Sequence, residues 1–212
     1  MKFSIASAIQ RFRPGIAPTL VVLVLLPLMV GLGFWQLSRG HEKQLMVDSY
    51  AERRAAEPVG SAQLGGMADP AFRRVHLRGQ FDGEHSVLLD NRMRNGKAGV
   101  ELLQPFHDQA SGLWLLLNRG WLPWPDRRAP PVFSTPEQPV NLDAWVYVAP
   151  GETFQLHADP ATAQWPRLLT ALHPAALWAE LGRSGFVYEL RAEAGPGTYE
   201  TTWPIVAMGP EK

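Results

Sequence analysis

The chain has 212 residues, with 20 basic and 20 acidic side chains and no cysteine. The balanced charge, with no long run of one sign, argues against a nucleic-acid partner, whose phosphates require a basic face. Without cysteine there can be no disulfides, thiolate metal sites, cysteine nucleophiles or copper delivery through a cysteine pair.

An uncharged apolar run, Ile16 to Trp35, dominates the amino-terminal part of the chain. As a helix these residues reach about 30 Å, the thickness of a bilayer's hydrocarbon core. A cleaved signal peptide has a shorter apolar core and ends at a small-x-small site, which is missing after Trp35. A buried core helix is disfavoured by the length and uniformity of the run. We predict a retained transmembrane anchor over residues 16–37.

The flanks of this run carry the orientation signal. Residues 1–15 contain three basic residues and no acid, which favours a cytoplasmic amino-terminal tail. Basic residues also follow the run, so charge alone specifies the orientation only weakly. Helix-forming residues continue to Pro58, and we predict a helical stalk over residues 38–58.

Beyond residue 59 the hydrophobic period changes from helical to alternating, as Phe72 to Phe81 shows. An Asn95-Gly96 turn lies within residues 91–99, Pro123 to Pro139 is irregular, and Pro174 to Leu181 has the ends of a short helix. Five further strands are predicted: Ser86–Leu89, Val100–Phe106, Leu113–Asn118, Leu142–Val148 and Phe186–Arg191. The predicted fold class is α+β: one transmembrane helix, then a mainly antiparallel sheet or small barrel over residues 59–212, with a short late helix.

Signals for catalysis are weak. The six histidines form no i, i+2 or i, i+4 pair, and there is no nucleophile elbow or phosphate-binding glycine loop. His41 lies close to the predicted membrane surface and is the one histidine whose position suggests a haem or metal role. We predict no catalytic residue and no metal site, and rank an anchored hydrolase last among the functions.

Two polar clusters stand beside predicted strand ends: Asp90-Asn91-Arg92 and Asn118-Arg119-Gly120-Trp121. A structural interpretation assigns the asparagines and glycine to turns, Trp121 to a cap on the core, and Arg119 to an ion pair with an acid such as Asp90. A functional interpretation makes them one arginine-bearing end of the sheet that docks a partner.

Several of these residues carry a resemblance to a known family. The anchor ends Phe34-Trp35-Gln36-Leu37-x-Arg39 with Lys43 beyond it, and the first strand reads Arg73-Arg74-Val75-x-Leu77-x-Gly79-x-Phe81-Asp82. Gly96-x-x-Gly99 then leads to Pro105, and Leu117-Asn118-Arg119-Gly120-Trp121-x-Pro123 follows. In this order, from about residue 18 to 125, the chain resembles the surfeit locus protein 1 family. Residues 126–200 match loosely, and Trp203-Pro204 matches again.

The resemblance implies a function. Members of the family help to assemble haem-copper cytochrome c oxidase, and bacterial members are thought to bind haem a and assist its insertion into the catalytic subunit. It implies a non-enzymatic protein of the bacterial inner membrane, with its domain on the periplasmic side. The implied partners are membrane lipid and the oxidase catalytic subunit or haem-handling proteins. Predicted docking residues are Trp35, Gln36 and Arg39 at the membrane boundary, and Asn118, Arg119, Gly120 and Trp121 on the sheet.

One departure from the family concerns haem a. Family members usually continue into a His-x-x-Tyr segment and a second transmembrane helix that carries a haem-ligating histidine, whereas this sequence stops at Lys212. Haem a is therefore expected by resemblance only, and no haem ligand is assigned. The alternative function is a membrane-tethered scaffold or interaction module of the cell envelope, unrelated to haem.

Overall fold

The computed structural model describes residues 15–148 and 164–203. The predicted tail up to residue 14, His157 and Pro204 lie outside these ranges. The described chain divides into two compact units after Asp48, and each is described by itself.

The first helix, α1, is Ile16–Ala55. It includes the apolar run and the polar residues that follow it, as the sequence pattern indicates. Within the described ranges it is the one helix long and apolar enough to cross a membrane by length and composition. Every side chain from Ile16 to Trp35 is exposed on the protein, so this apolar surface has no protein core to cover it.

The remainder is a mixed, mostly antiparallel sheet. In chain order the strands are β1 Val59–Gly60, β2 Arg74–Phe81, β3 Val87–Arg94, β4 Lys97–Asp108, β5 Trp114–Pro123, β6 Val140–Tyr147, β7 Arg167–Leu169 and β8 Gly185–Ala192. Five of them form a closed barrel in the order β2-β6-β8-β5-β4, because β2 also pairs with β4. The predicted fold class, with its barrel, is confirmed.

Three strands extend the sheet outside the barrel. β1 pairs parallel to β2, β3 pairs antiparallel to β4, and β7 pairs parallel to β3. A 3₁₀ helix, Ser61–Gly66, follows β1. β1 and β7 are not predicted from the sequence, because segments of two and three residues are too short to show a period.

Strands β3, β4 and β5 are longer than predicted. β3 and β4 form a hairpin whose two-residue turn, Asn95-Gly96, has positive φ at both residues. That turn geometry matches the twist of the strands and lets them continue to its edge. β5 likewise runs through Asn118 to Pro123, where the sequence placed a strand end.

The barrel interior holds the main hydrophobic core. Val75 and Leu77 of β2 alternate with exposed residues, as predicted, and Leu117 of β5 and Leu190 of β8 are also buried. A second cluster lies outside the barrel beneath α2, Pro174–Leu181, whose Leu177 packs against β3, β4 and β5. This late helix begins and ends where it was predicted, with Pro at its start and Gly182 at its end.

The last turns of α1, in the second unit, pack on one end of the barrel. The ring of Tyr50 stacks on Phe72 with centroids 3.8 Å apart, and Phe72 stacks in turn near Trp145. The Arg53 guanidinium binds the Asp69 carboxylate at 2.7 Å, and Arg54 lies 4.4 Å from the Trp145 ring centroid. The carboxyl end of the helix is thus part of the barrel domain.

A buried carboxylate joins the 3₁₀ helix to the turn between β4 and β5. Asp108 Oδ2 accepts hydrogen bonds from the hydroxyls of Ser61 at 2.6 Å and Ser111 at 2.7 Å. Its other oxygen accepts the amide of Arg78. Burial acts to raise the pKa of Asp108, but these hydrogen bonds outweigh it and the pKa is lowered.

Barrel closure should depend on Gly79. A Cβ at this position would collide with the carbonyl of His107 on β4, in the pair of strands that closes the barrel. We expect Gly79→Ala to lower the free energy of unfolding by about 3 kcal/mol, the upper end of overpacking costs. Urea unfolding of the full chain in detergent would measure it. Gly65→Ala, which has open space around it, is the matched control and should change little.

The lowered pKa of Asp108 predicts a pH dependence. The unfolded carboxyl titrates near 3.9, so the stabilisation is complete above that pH and is lost as pH falls through the lower folded pKa. Asp108→Asn should flatten the fall in unfolding free energy between about pH 5 and pH 2. Urea unfolding at several pH values tests this, and an unchanged slope would contradict it.

Candidate functional site

The four predicted docking residues of the sheet lie inside β5 and are buried. Asn118 is 0% exposed, Arg119 1% and Trp121 5%. The prediction that this cluster lies at a strand end was wrong, because β5 continues antiparallel to β4 as far as Pro123. No finding tests their docking role, which stays a prediction.

A β-bulge explains how consecutive polar residues come to be buried here. Glu101 pairs with Trp121 and Leu103 with Asn118, so one residue of β4 faces two of β5. Gly120 has φ of +114°, and a Cβ there would lie 2.8 Å from the Glu200 carbonyl oxygen. Glycine suits this close approach, and the bulge breaks the alternation that the sequence pattern assumes.

Asn118 links two buried glutamates. Its amide nitrogen donates to Glu101 Oε2 at 3.0 Å and to Glu189 Oε1 at 2.8 Å. Its oxygen accepts the amide of Gly120 at 3.1 Å. Both glutamates are buried, at 4% and 6% exposure, so their carboxylates require such hydrogen-bond donors inside the protein.

Arginines supply the opposite charge. Arg191 Nε donates to Glu189 Oε1 at 3.0 Å, and Arg94 Nη2 lies 3.5 Å from Glu101 Oε1. Burial acts to lower the pKa of Arg191, but the nearby glutamates raise it above its ordinary value. The guanidinium of Arg191 also lies 3.6 Å from the Tyr147 ring centroid and 4.9 Å from that of Trp203.

Arg119 turns the other way and has only uncharged hydrogen-bond acceptors in the described part of the chain. It donates to Gly197 O at 2.6 Å, Gln104 Oε1 at 2.6 Å and Ser134 O at 2.8 Å. Burial lowers its pKa to about 10, so the side chain stays charged at pH 7. The predicted ion pair with Asp90 is wrong, because Asp90 binds Arg127 on the surface instead.

The structure brings part of the two polar clusters together. The Trp121 indole donates to the Arg92 carbonyl at 2.8 Å, and Arg92 Nε lies 3.7 Å from Glu101. Arg119 and Asp90 point elsewhere. Glu101, Glu189 and Arg191 were missed by the sequence analysis. In the sequence each of them is a charged residue within an otherwise hydrophobic strand, as in Val100-Glu101-Leu102 and Tyr188-Glu189-Leu190-Arg191, and this pattern could have indicated them.

The other three predicted docking residues belong to the first unit. Trp35, Gln36 and Arg39 are exposed on α1, and the Arg39 guanidinium lies 5.8 Å from the Trp35 ring centroid. An aromatic ring beside a cation is typical of a membrane boundary. Their role there stays a prediction.

One group of side chains has the composition of a metal site. Ligand atoms of Asp82, Glu84 and His85 lie within 4.8 Å of one another. However, Asp82 Oδ2 already binds Arg183 at 2.7 Å and His85 Nδ1 at 2.8 Å. The Arg183 charge opposes a second cation, and we assign no metal to this group.

Two clefts on the described part of the barrel domain bear on this site. One, of about 270 Å³, lies at the β3–β4 hairpin and is lined by Arg92, Arg94, Asn95, Glu101, Glu200 and Trp203, among others. The second, of about 280 Å³, is lined by Gln80, Phe81, His107, Gln109 and Trp114. We call the first the Arg92 cleft.

The fold and this site define a class of protein: a small β-barrel domain on an apolar helix of membrane-spanning length, with a buried arginine–glutamate cluster. A model of the SURF1 family matches residues 23–211. The chain therefore belongs to the SURF1 family, as the resemblance in its motifs indicated.

Individual relatives agree. The chain is 33% identical over 104 residues to a SURF1-like protein of Rickettsia felis, covering 48% of this chain and 45% of the relative. It is 28% identical over 121 residues to Surfeit locus protein 1 of Takifugu rubripes, covering 48% and 49%. A SURF1-like protein of Dictyostelium discoideum is 30% identical over 101 residues, covering 43% and 37%. The chain thus spans about half or less of the length of these relatives.

The contacts of Arg119 predict a structural role. Arg119→Ala leaves the buried Gln104 Oε1 without its donor and removes the hydrogen bonds to the carbonyls of Gly197 and Ser134, and it should lower the free energy of unfolding by about 3–5 kcal/mol. Urea unfolding and the amount of protein in membranes measure this. Arg128→Ala, at an exposed loop position, should stay within about 0.5 kcal/mol. Normal stability and abundance with lost partner binding would instead establish docking by Arg119.

Proposed function

We propose that this protein is a membrane-anchored assembly factor for a haem-copper cytochrome c oxidase, and that it is not an enzyme. Its proposed task is to assist haem a insertion into the catalytic subunit. The observation that carries the proposal is the match to the SURF1 family over residues 23–211.

The anchor supports this role. A tether in the same bilayer as the oxidase subunit raises the effective concentration of the barrel domain around it, so a modest contact suffices. We place the protein in the bacterial inner membrane with the domain on the periplasmic side. The basic residues Lys2, Arg11 and Arg13 before the helix support a cytoplasmic amino terminus.

Neither of these two clefts is assigned to haem a. Both clefts, at about 270 and 280 Å³, are below the roughly 300–1,000 Å³ of sites for drug-sized ligands. His76 and His85 bind carboxylates through Nδ1, and His107 is exposed beside Trp114. We assign no haem ligand. The proposed assistance acts through contacts with the oxidase subunit or a haem-handling protein.

Deletion of the gene tests the proposal. Membranes from the deletion strain should lose both oxidase activity and the haem a absorbance band, with other respiratory oxidases unchanged, because an oxidase without its haem is inactive. Restoring the full chain on a plasmid should restore both signals.

Unchanged activity and an unchanged band, in a strain shown to contain no second copy of the gene, would contradict the assembly role. Co-purification with envelope proteins in place of an oxidase subunit would then favour the scaffold function.

A further inference from the structure

The first charged side chain after the apolar run of α1 is a cation. Residues 16–38 carry no charge, and Arg39 follows Trp35 by one helical turn. When the apolar run lies in the hydrocarbon core, Arg39 is therefore the charge nearest to that core at the carboxyl end of the run. The acids that follow, Glu42 and Asp48, lie about 4.5 and about 13.5 Å farther along the helix axis.

The Arg39 side chain turns back towards the apolar run. Side chains on an α-helix tilt towards its amino terminus, and in α1 the run lies on that side of Arg39. The Arg39 guanidinium lies 5.8 Å from the Trp35 ring centroid, which is one turn closer to the run. Because Trp rings favour the headgroup region of a bilayer, this contact places the guanidinium at headgroup depth.

The guanidinium of Arg39 has no carboxylate partner in the described part of the chain. It is exposed, and within residues 15–148 and 164–203 it forms no ion pair. Arg53, near the other end of the same helix, differs from it, because its guanidinium binds the Asp69 carboxylate at 2.7 Å. The charge of Arg39 is thus open to an anion from outside the chain.

A lipid phosphate suits this position. In a phospholipid the phosphate is the anionic group that stands next to the acyl chains, and lipids surround an exposed helix on every side. A guanidinium binds phosphate oxygens through parallel hydrogen bonds in a fixed planar geometry. The order along α1, from apolar run to Trp35 to Arg39, matches the order from hydrocarbon to phosphate in one leaflet.

We propose that Arg39, beside the ring of Trp35, binds the phosphate of a membrane lipid headgroup at the carboxyl end of the apolar run. This contact sets the depth of α1 in the bilayer, because the guanidinium stays with the phosphates while the run stays in the hydrocarbon. The proposal depends on the anchor and not on the oxidase. It therefore stands or falls separately from the assembly role.

Solid-state NMR of the full chain in phosphatidylglycerol bilayers, in a phosphate-free buffer, tests the contact. The guanidinium carbons of all arginines are isotope-labelled, and lipid phosphorus nearby dephases their signal. Arg39→Gln should lose the share of the dephased signal that belongs to one arginine, whereas Arg11 and Arg13 contribute equally to both samples. Arg128→Gln removes an exposed arginine of the barrel domain. It is the matched control and should leave the dephased signal unchanged.

Arg39→Gln should not disturb folding, because the position is exposed and both residues favour helices. Urea unfolding of the variant should match wild type. A dephased signal that Arg39→Gln leaves unchanged overturns the proposal. A wild-type signal that added inorganic phosphate abolishes also overturns it, because the site would then bind free phosphate in place of a lipid.

A second measurement follows the depth of the helix. The chain has no cysteine, so Ser38→Cys introduces a single thiol. A membrane-impermeant maleimide is added on the side of the bilayer that holds the barrel domain. Arg39→Gln in this background should slow labelling about tenfold, because without the phosphate contact the exposed Leu37 can move into the hydrocarbon. Arg128→Gln should not change the rate, and an unchanged rate in Arg39→Gln overturns the role of Arg39 in setting the depth.

Discussion

Two glutamate side chains buried against one asparagine are the constraint on which the barrel domain depends. β4 and β8 both pair with β5, and this brings Glu101 and Glu189 to either side of Asn118. Two carboxylates in one low-dielectric site repel each other unless donors and cations compensate them. The amide of Asn118 and the guanidinium of Arg191 supply that compensation. If Asn118 or Arg191 were replaced, a buried carboxylate would lose its compensation and the repulsion between the two glutamates would increase. The cluster therefore specifies how the three strands pair.

Because of the bulge at Gly120, adjacent residues of β5 make contacts on different sides of the strand. Asn118 faces the glutamates, whereas Arg119 binds Ser134 O in the proline-rich segment and Gly197 O in the turn after β8. A segment rich in proline has few amides with which to join a sheet, so side-chain donors must hold it. A single buried guanidinium therefore fixes two irregular segments to the barrel.

The same end of the barrel joins distant parts of the chain. Arg54 from the last turns of α1 lies over Trp145, and Arg191 and Arg94 lie over Trp203, the last described residue. Cations beside aromatic faces tolerate burial better than isolated charges. The cluster thereby connects the helix end, the sheet and the segment after β8, and two of its members, Arg94 and Glu101, line the Arg92 cleft.

The sequence by itself determined the apolar helix, the alternation of β2, the Asn95-Gly96 turn, the helix from Pro174 to Leu181 and the family, because each depends on local periodicity, turn chemistry or a short motif. Only the tertiary structure decided that β2 closes on β4, that Asn118 and Arg119 are buried, and that Glu101 meets Glu189. These depend on a bulge and on contacts between residues far apart in the chain, such as Asn118 and Glu189, which are 71 positions apart. No local pattern encodes such contacts, because charged residues that are distant in the chain must be buried together before they can compensate one another.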